Sequence, residues 1–97
     1  MYDIGQDELD ALSRAIDSQH FFRYGGTEVE AFEKEWAEKI GAEKAIAVTS
    51  GTASLIVGLQ ALGIGPGQSV LLPGYTFIST ALAVTSVGAI PLYVDVD

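Results

Sequence analysis

Lys44-Ala-Ile-Ala-Val-Thr-Ser-Gly-Thr-Ala-Ser-Leu-Ile-Val-Gly-Leu-Gln-Ala-Leu62 is the stretch that decides the fold class of this chain. Lys44 to Thr49 is short, apolar and bounded by turn formers, the pattern of a buried strand, and Ser50-Gly51-Thr52 is the turn that follows it. Ala53 to Leu62 then reads as a helix with almost no polar face, which has to be covered all round. The unit repeats. Gly63 to Gln68 is dense loop punctuation, Ser69 to Leu72 a second strand, and Pro73-Gly74-Tyr75-Thr76 a second turn. Phe77 to Val87 makes a second nearly apolar helix ending at Gly88, and Ile90 to Val96 alternates into a third strand. Strand, helix, strand, helix, strand at this spacing predicts an α/β fold, a mostly parallel sheet joined by right-handed crossovers.

Charge sharpens that reading. The 97 residues hold 13 Asp and Glu against 5 Lys and Arg, a formal net charge of -8. All five cations and 11 of the 13 acids precede Ala45, and the 50 residues from Ala45 to Val94 carry no charged side chain. Gly, Pro, Ser and Thr interrupt that neutral run too often for a clean transmembrane stretch of about 18 apolar residues. It reads instead as sheet and helix covered on both sides. A chain this short hides only about two thirds of its unfolded surface, too little for so much apolar sequence, so the expectation is the N-terminal piece of a larger protein. Five scattered cations cannot assemble a basic face, which argues against nucleic acid and against an anionic membrane as partners. The absence of Cys excludes disulfides, thiolate metal sites and Cys nucleophiles and points to the cytoplasm. Met1-Tyr-Asp-Ile-Gly shows no basic and apolar secretory pattern.

Upstream, Leu9, Leu12 and Ile16 recur at helical spacing over residues 7 to 18, with acids in the first turn where the helix dipole favours them. Gln19 to Gly26 is an aromatic, glycine-ended loop. Thr27 opens a second helix, with Glu30 placed to complete a capping box. Val29, Phe32, Trp36 and Ile40 form its apolar stripe, Glu28, Glu33, Glu35 and Glu38 its outer face, and Gly41 its stop. Residues 1–26 are thus an N-terminal helix and loop, and residues 27–97 the first part of a larger domain.

In a parallel sheet ligands gather where strands turn into helices. Thr49-Ser50-Gly51-Thr52-Ala53 offers a glycine, two hydroxyls and free N–H groups at a helix start, a setting for a phosphate. The same residues fit a plain N-cap by Ser50 or Thr52. The turn matches neither a Walker loop nor the glycine fingerprint of dinucleotide folds. Tyr75 and Phe77 at the second turn read either as core aromatics or as a stacking surface. Asp95 and Asp97 read as strand termination, and His20 as a surface side chain.

Gly26-Thr-Glu-Val-Glu-Ala-Phe32-Glu33, Ala47-Val-Thr-Ser-Gly-Thr-Ala53-Ser-Leu55, Ala61-Leu-Gly-Ile-Gly-Pro-Gly67, Pro73-Gly-Tyr-Thr-Phe77 and Gly88-Ala-Ile-Pro-Leu-Tyr-Val-Asp-Val-Asp97 occur here in order. Together they resemble the N-terminal quarter of the DegT/DnrJ/EryC/StrS sugar aminotransferases, fold type I enzymes that use pyridoxal 5'-phosphate, from about residue 3 onward. The resemblance implies that Thr52 and Ala53 hold the cofactor phosphate through their N–H groups and the Thr hydroxyl, that Gly51 permits the approach, and that Phe77 stacks on the pyridine ring. It places Phe22-Arg23-Tyr24-Gly25-Gly26 near the substrate pocket, with Arg23 and Tyr24 as possible contacts. Gln68-Ser69 departs from the Asp-Glu pair usual after Pro-Gly in the family, in a loop that is structural.

In the family the lysine that forms the Schiff base and the aspartate that pairs with the pyridine nitrogen lie beyond residue 97. Lys34, Lys39 and Lys44 are unsuited to that role, so no catalytic residue and no metal ligand is expected in this chain. The implied activity is amination of a keto sugar, nucleotide-linked, or of a keto-cyclitol, with glutamate or glutamine as amino donor, by a homodimer. Two alternatives stay open: a sugar dehydratase of the same family with histidine at the lysine position, and a free-standing phosphate-binding module.

Overall fold

The computed structural model describes residues 4–96. It contains helix α1 (Gln6–Ser18), helix α2 (Glu28–Ile40), helix α3 (Gly51–Ala61), strand β1 (Ser69–Pro73), helix α4 (Ser79–Ser86) and strand β2 (Ile90–Val94). They fall into two compact units, one ending at Ala47 and one starting at Val48.

In the first unit α1 runs as its periodicity predicts, and its start is fixed by Glu8, whose carboxylate accepts the Gly5 N–H at 2.7 Å. That contact, together with the Gly5 carbonyl accepting the Leu9 N–H at 3.4 Å, holds the first turn. The capping box expected at Thr27 and Glu30 is not formed. Thr27 has helical backbone angles, φ -104° and ψ -22°, and its side chain makes no capping bond; an N-cap needs an extended backbone to aim its hydroxyl at the third N–H of the helix. α2 also buries a different face from the one its apolar stripe predicts. Its buried residues are Glu33 and Ala37, one turn apart, while Phe32 and Trp36 stack on each other at 6.2 Å and stay about half exposed. Glu33 therefore does not belong to the outer face.

The second unit is built on backbone pairing. β1 and β2 lie parallel in the register Ser69↔Ile90, Leu71↔Leu92 and Pro73↔Val94, with α4 as the crossover between them. Leu72, Ala81, Val84 and Ala89 form the core, flanked by Leu59 and Ile64, and α3 packs on α4. Small side chains at 81, 83 and 89 let helix and strand backbones approach closely. The turn into β2 depends on Gly88, at φ +80°, where an added Cβ would stand 3.0 Å from the Pro66 ring. Gln68 accepts the Gly65 N–H at 2.8 Å and fixes the loop before β1.

Two expectations change. Lys44 to Thr49 forms no strand, because a strand exists only by pairing and no other strand pairs with it among the described residues; the Glu33 carboxylate accepts the Ala47 N–H at 2.7 Å. β2 ends at Val94 rather than Val96, where the Val96 N–H turns to the Asp95 side chain at 3.0 Å; Asp97 lies outside the described residues. Among the described residues α4 covers one face of the sheet around Leu72 and the other face is exposed, as expected of a piece of a larger protein. Leu72 is 3% exposed, whereas Leu71 and its partner Leu92 are 68% and 45% exposed. Leu71, Leu92 and Tyr93 thus leave exposed apolar surface of the kind that a partner covers.

Candidate functional site

Both turns singled out in the sequence lie in the second unit, at the starts of two helices that pack together. α3 starts at Gly51, not at Ala53, because Ser50 is its N-cap: extended at φ -163° and ψ 163°, it accepts the Ala53 N–H on its hydroxyl at 3.1 Å. The Ser54 N–H bonds the Ser50 carbonyl at 3.0 Å. Among the described residues, the Gly51 and Thr52 N–H groups and the Thr52 hydroxyl have no hydrogen-bond partner. They head an 11-residue helix with no acid in its first turn, so the positive end of its dipole is not neutralised by a side chain. Nothing stands within 4 Å of a Cβ built on Gly51. This group of donors fits a phosphate, which needs N–H groups, a hydroxyl and room to approach. The Ala53 N–H is already engaged by Ser50.

At the second turn α4 starts at Ser79. Phe77 lies ahead of it in the loop that leaves β1, its carbonyl accepting the Thr80 N–H at 3.0 Å. Thr76 and Thr80 share a hydroxyl hydrogen bond at 3.0 Å, and the Gly74 N–H donates to the Val94 carbonyl at 2.8 Å, tying the turn to the end of β2. Tyr75 is 92% and Phe77 76% exposed. Neither is a core aromatic, and each leaves a ring face free for stacking.

The loop before α2 behaves differently. Arg23 forks the Glu33 carboxylate, with Nη1 on Oε1 and Nη2 on Oε2, the latter at 2.9 Å, while Tyr24 is almost fully exposed. The Ala47 N–H, then the Arg23 guanidinium, hold the Glu33 carboxyl below the usual carboxylate range, and Glu33 raises Arg23 in turn. Gly26 is required here, since an added Cβ would meet the Phe22 carbonyl at 2.7 Å. Spacing could not reveal the Glu33 network: no periodicity joins residues ten apart across a glycine loop. His20 is exposed, and its N–H donates to the Ser18 hydroxyl at 3.2 Å. No group of three or more metal-ligating side chains occurs among the described residues, nor any helix long and apolar enough to cross a membrane.

A model of the DegT/DnrJ/EryC1/StrS aminotransferase family matches residues 2–97. The chain belongs to that family. Among curated members, it is 46% identical over 90 residues to 3-amino-5-hydroxybenzoate synthase of Amycolatopsis mediterranei (strain S699), covering 93% of this chain and 23% of that protein. It is 40% identical over 94 residues to the spore coat polysaccharide biosynthesis protein SpsC of Bacillus subtilis (strain 168), covering 97% and 24%. A solved 3-amino-5-hydroxybenzoic acid synthase superposes with a TM-score of 0.93 at 43% identity, over 100% of this chain and 26% of that one. NtdA from Bacillus subtilis, solved with bound cofactor PMP, gives 0.85 at 35% identity, over 97% and 22%. The chain thus spans about a quarter of the length of these family members, and its fold is that of the corresponding part of an α/β aminotransferase.

Proposed function

We propose that this chain is part of a pyridoxal 5'-phosphate-dependent aminotransferase that aminates a nucleotide-linked keto sugar or a keto-cyclitol, with glutamate or glutamine as amino donor. The observation that carries the reading is the uncommitted donor set at the start of α3. The Gly51 and Thr52 N–H groups and the Thr52 hydroxyl are unpaired among the described residues, at an acid-free helix terminus in a chain of this family. The bound cofactor of NtdA and the polysaccharide role printed for SpsC support it.

When bound, pyridoxal phosphate supplies the electron sink through which an amino group passes from donor to acceptor. The residues of this chain bind and orient. The Gly51 and Thr52 N–H groups and the Thr52 hydroxyl would donate to the phosphate. Ala53 contributes its N–H only if the Ser50 hydroxyl gives it up, and Ser50 retains its own O–H to donate. Phe77, whose ring is 76% exposed, would pack on the pyridine ring. Tyr24 is free to touch the acceptor, whereas Arg23 is committed to Glu33. No residue here moves a proton, so this chain's part in catalysis is positioning. The complete enzyme is a cytoplasmic homodimer.

The test titrates the apo form of the full-length enzyme with pyridoxal phosphate and follows the visible absorbance band. Thr52→Val removes a hydroxyl that bonds a charged group, worth about 1.5 kcal/mol or more, so its Kd rises roughly tenfold. Phe77→Ala removes the stacking ring, and its Kd rises about threefold to tenfold. Absence of binding by the parent, or parental affinity in both variants, overturns the reading.

A further inference from the structure

Ser54 makes two hydrogen bonds to the start of its own helix. Its N–H donates to the Ser50 carbonyl at 3.0 Å, and its hydroxyl donates to the Gly51 carbonyl at 2.6 Å. Those carbonyls belong to the peptide groups whose other ends are the Gly51 and Thr52 N–H groups, because the C=O of one residue and the N–H of the next share one planar trans unit. Ser54 therefore holds the far ends of both peptides that leave an N–H free at the start of α3.

Such a bond fixes the plane of the peptide and so the direction of its N–H. It also polarises the group, since hydrogen bonds in a chain strengthen one another by about 10–30% per bond. The backbone half of the pair is ordinary α-helix. The hydroxyl half is not required by the helix: back-bonding of this kind does little for stability, and Ala is the better helix former. Ser54 is also exposed, where water would serve its hydroxyl as well. Thr85 makes a similar bond in α4, but onto the Ala81 carbonyl, whose peptide partner, the Leu82 N–H, already donates to the Ile78 carbonyl at 3.0 Å. At Ser54 the bond falls on a peptide whose N–H is uncommitted among the described residues.

We propose that Ser54 is a positioning residue for the cofactor phosphate, its hydroxyl orienting and polarising the Gly51–Thr52 peptide so that the Thr52 N–H is the stronger donor. The inference rests on the cofactor reading above and adds to it a residue that touches neither cofactor nor substrate.

The experiment uses the apo form of the full-length enzyme. Pyridoxal phosphate is titrated by its visible absorbance band, and inorganic phosphate by competition with it. Ser54→Ala removes the hydroxyl and leaves the Ser54 N–H in place, whereas Ser54→Thr keeps a hydroxyl able to bond a carbonyl of the preceding turn. The expected result is a Kd for both probes raised about twofold to fivefold in Ser54→Ala and near the parent's in Ser54→Thr. The melting temperature of Ser54→Ala is expected to be no lower than the parent's. Parental affinity for inorganic phosphate in Ser54→Ala, or equal weakening in Ser54→Thr, overturns the proposal. So does a melting temperature that falls together with the affinity in Ser54→Ala, because the hydroxyl is then a brace for the helix. If instead the parent binds neither probe, or Thr52→Val and Phe77→Ala both bind pyridoxal phosphate like the parent, the cofactor reading fails and this inference with it. A parent that binds, a weakened Thr52→Val and an unchanged Ser54→Ala sink this inference alone.

Discussion

The two units of the chain are held by different forces. Up to Ala47 the sequence is acidic, and the contacts that define its geometry belong to side chains: Glu8 on the Gly5 N–H, and Glu33 between Arg23 and Ala47. From Val48 to Val94 there is no charge. Order there comes from the parallel ladder, glycines at fixed turns and alanines that let α4 lie on the sheet. A unit held by carboxylates responds to pH, and one held by backbone pairing and close packing responds to volume. Neutrality in the second unit also leaves the first turn of α3 without an acid of its own.

The sharpest way to break that contrast is to change volume in the second unit. Leu72→Ala opens a cavity at a side chain 3% exposed, and the expected loss is about 2–5 kcal/mol by urea denaturation of the full-length protein. Gly88→Ala is next. The left-handed backbone and the Pro66 ring 3.0 Å from the new methyl together give an expected loss of about 1–2 kcal/mol, read in the same way. Ser50→Ala, which removes a true cap, costs about 1 kcal/mol in the apoprotein.

The first unit is tested by acid. Glu33 has its carboxyl held below the ordinary value of 4.5, first by the Ala47 N–H and then by Arg23, so its contribution to stability is fully present above that value. It is lost as the pH falls through the lower folded value, while Arg23 stays charged throughout. The melting temperatures of the parent and Glu33→Gln should accordingly differ at pH 7 and converge as the pH falls through the lower folded value. A gap that persists in acid would mean that packing, not the carboxylate, carries the contact. Thr27→Ala has the smallest expected effect, within about 0.5 kcal/mol of the parent, since the Thr27 hydroxyl caps nothing. A loss like that of Ser50→Ala would show that the capping box does form in solution.

Much of this was legible in the residues. The helical periods of α1 and α2 and the crossover around α4 are local or near-local patterns, and each element lies within a few residues of its expected place. The start of α3 was legible only as an ambiguity. Ser50 proves to be the cap, which leaves Gly51 and Thr52 as the free donors and commits Ala53. The strand expected at Lys44 to Thr49 is absent because β structure needs a partner strand, and composition cannot say which strand that is. Glu33 was sorted to the solvent face for the same reason. Helical spacing arranges residues around an axis but does not reveal which side meets the rest of the protein.

By itself the sequence determined the α/β class, the positions of the helices and the family, because these rest on short-range periodicity and on motifs in a fixed order. Only the tertiary structure decided that Glu33 faces inward, that Phe77 stands free of the core and that the sheet is bare on one side. Each of these depends on which groups far apart in the chain meet, and hydrogen bonds across loops leave no period in the sequence to read.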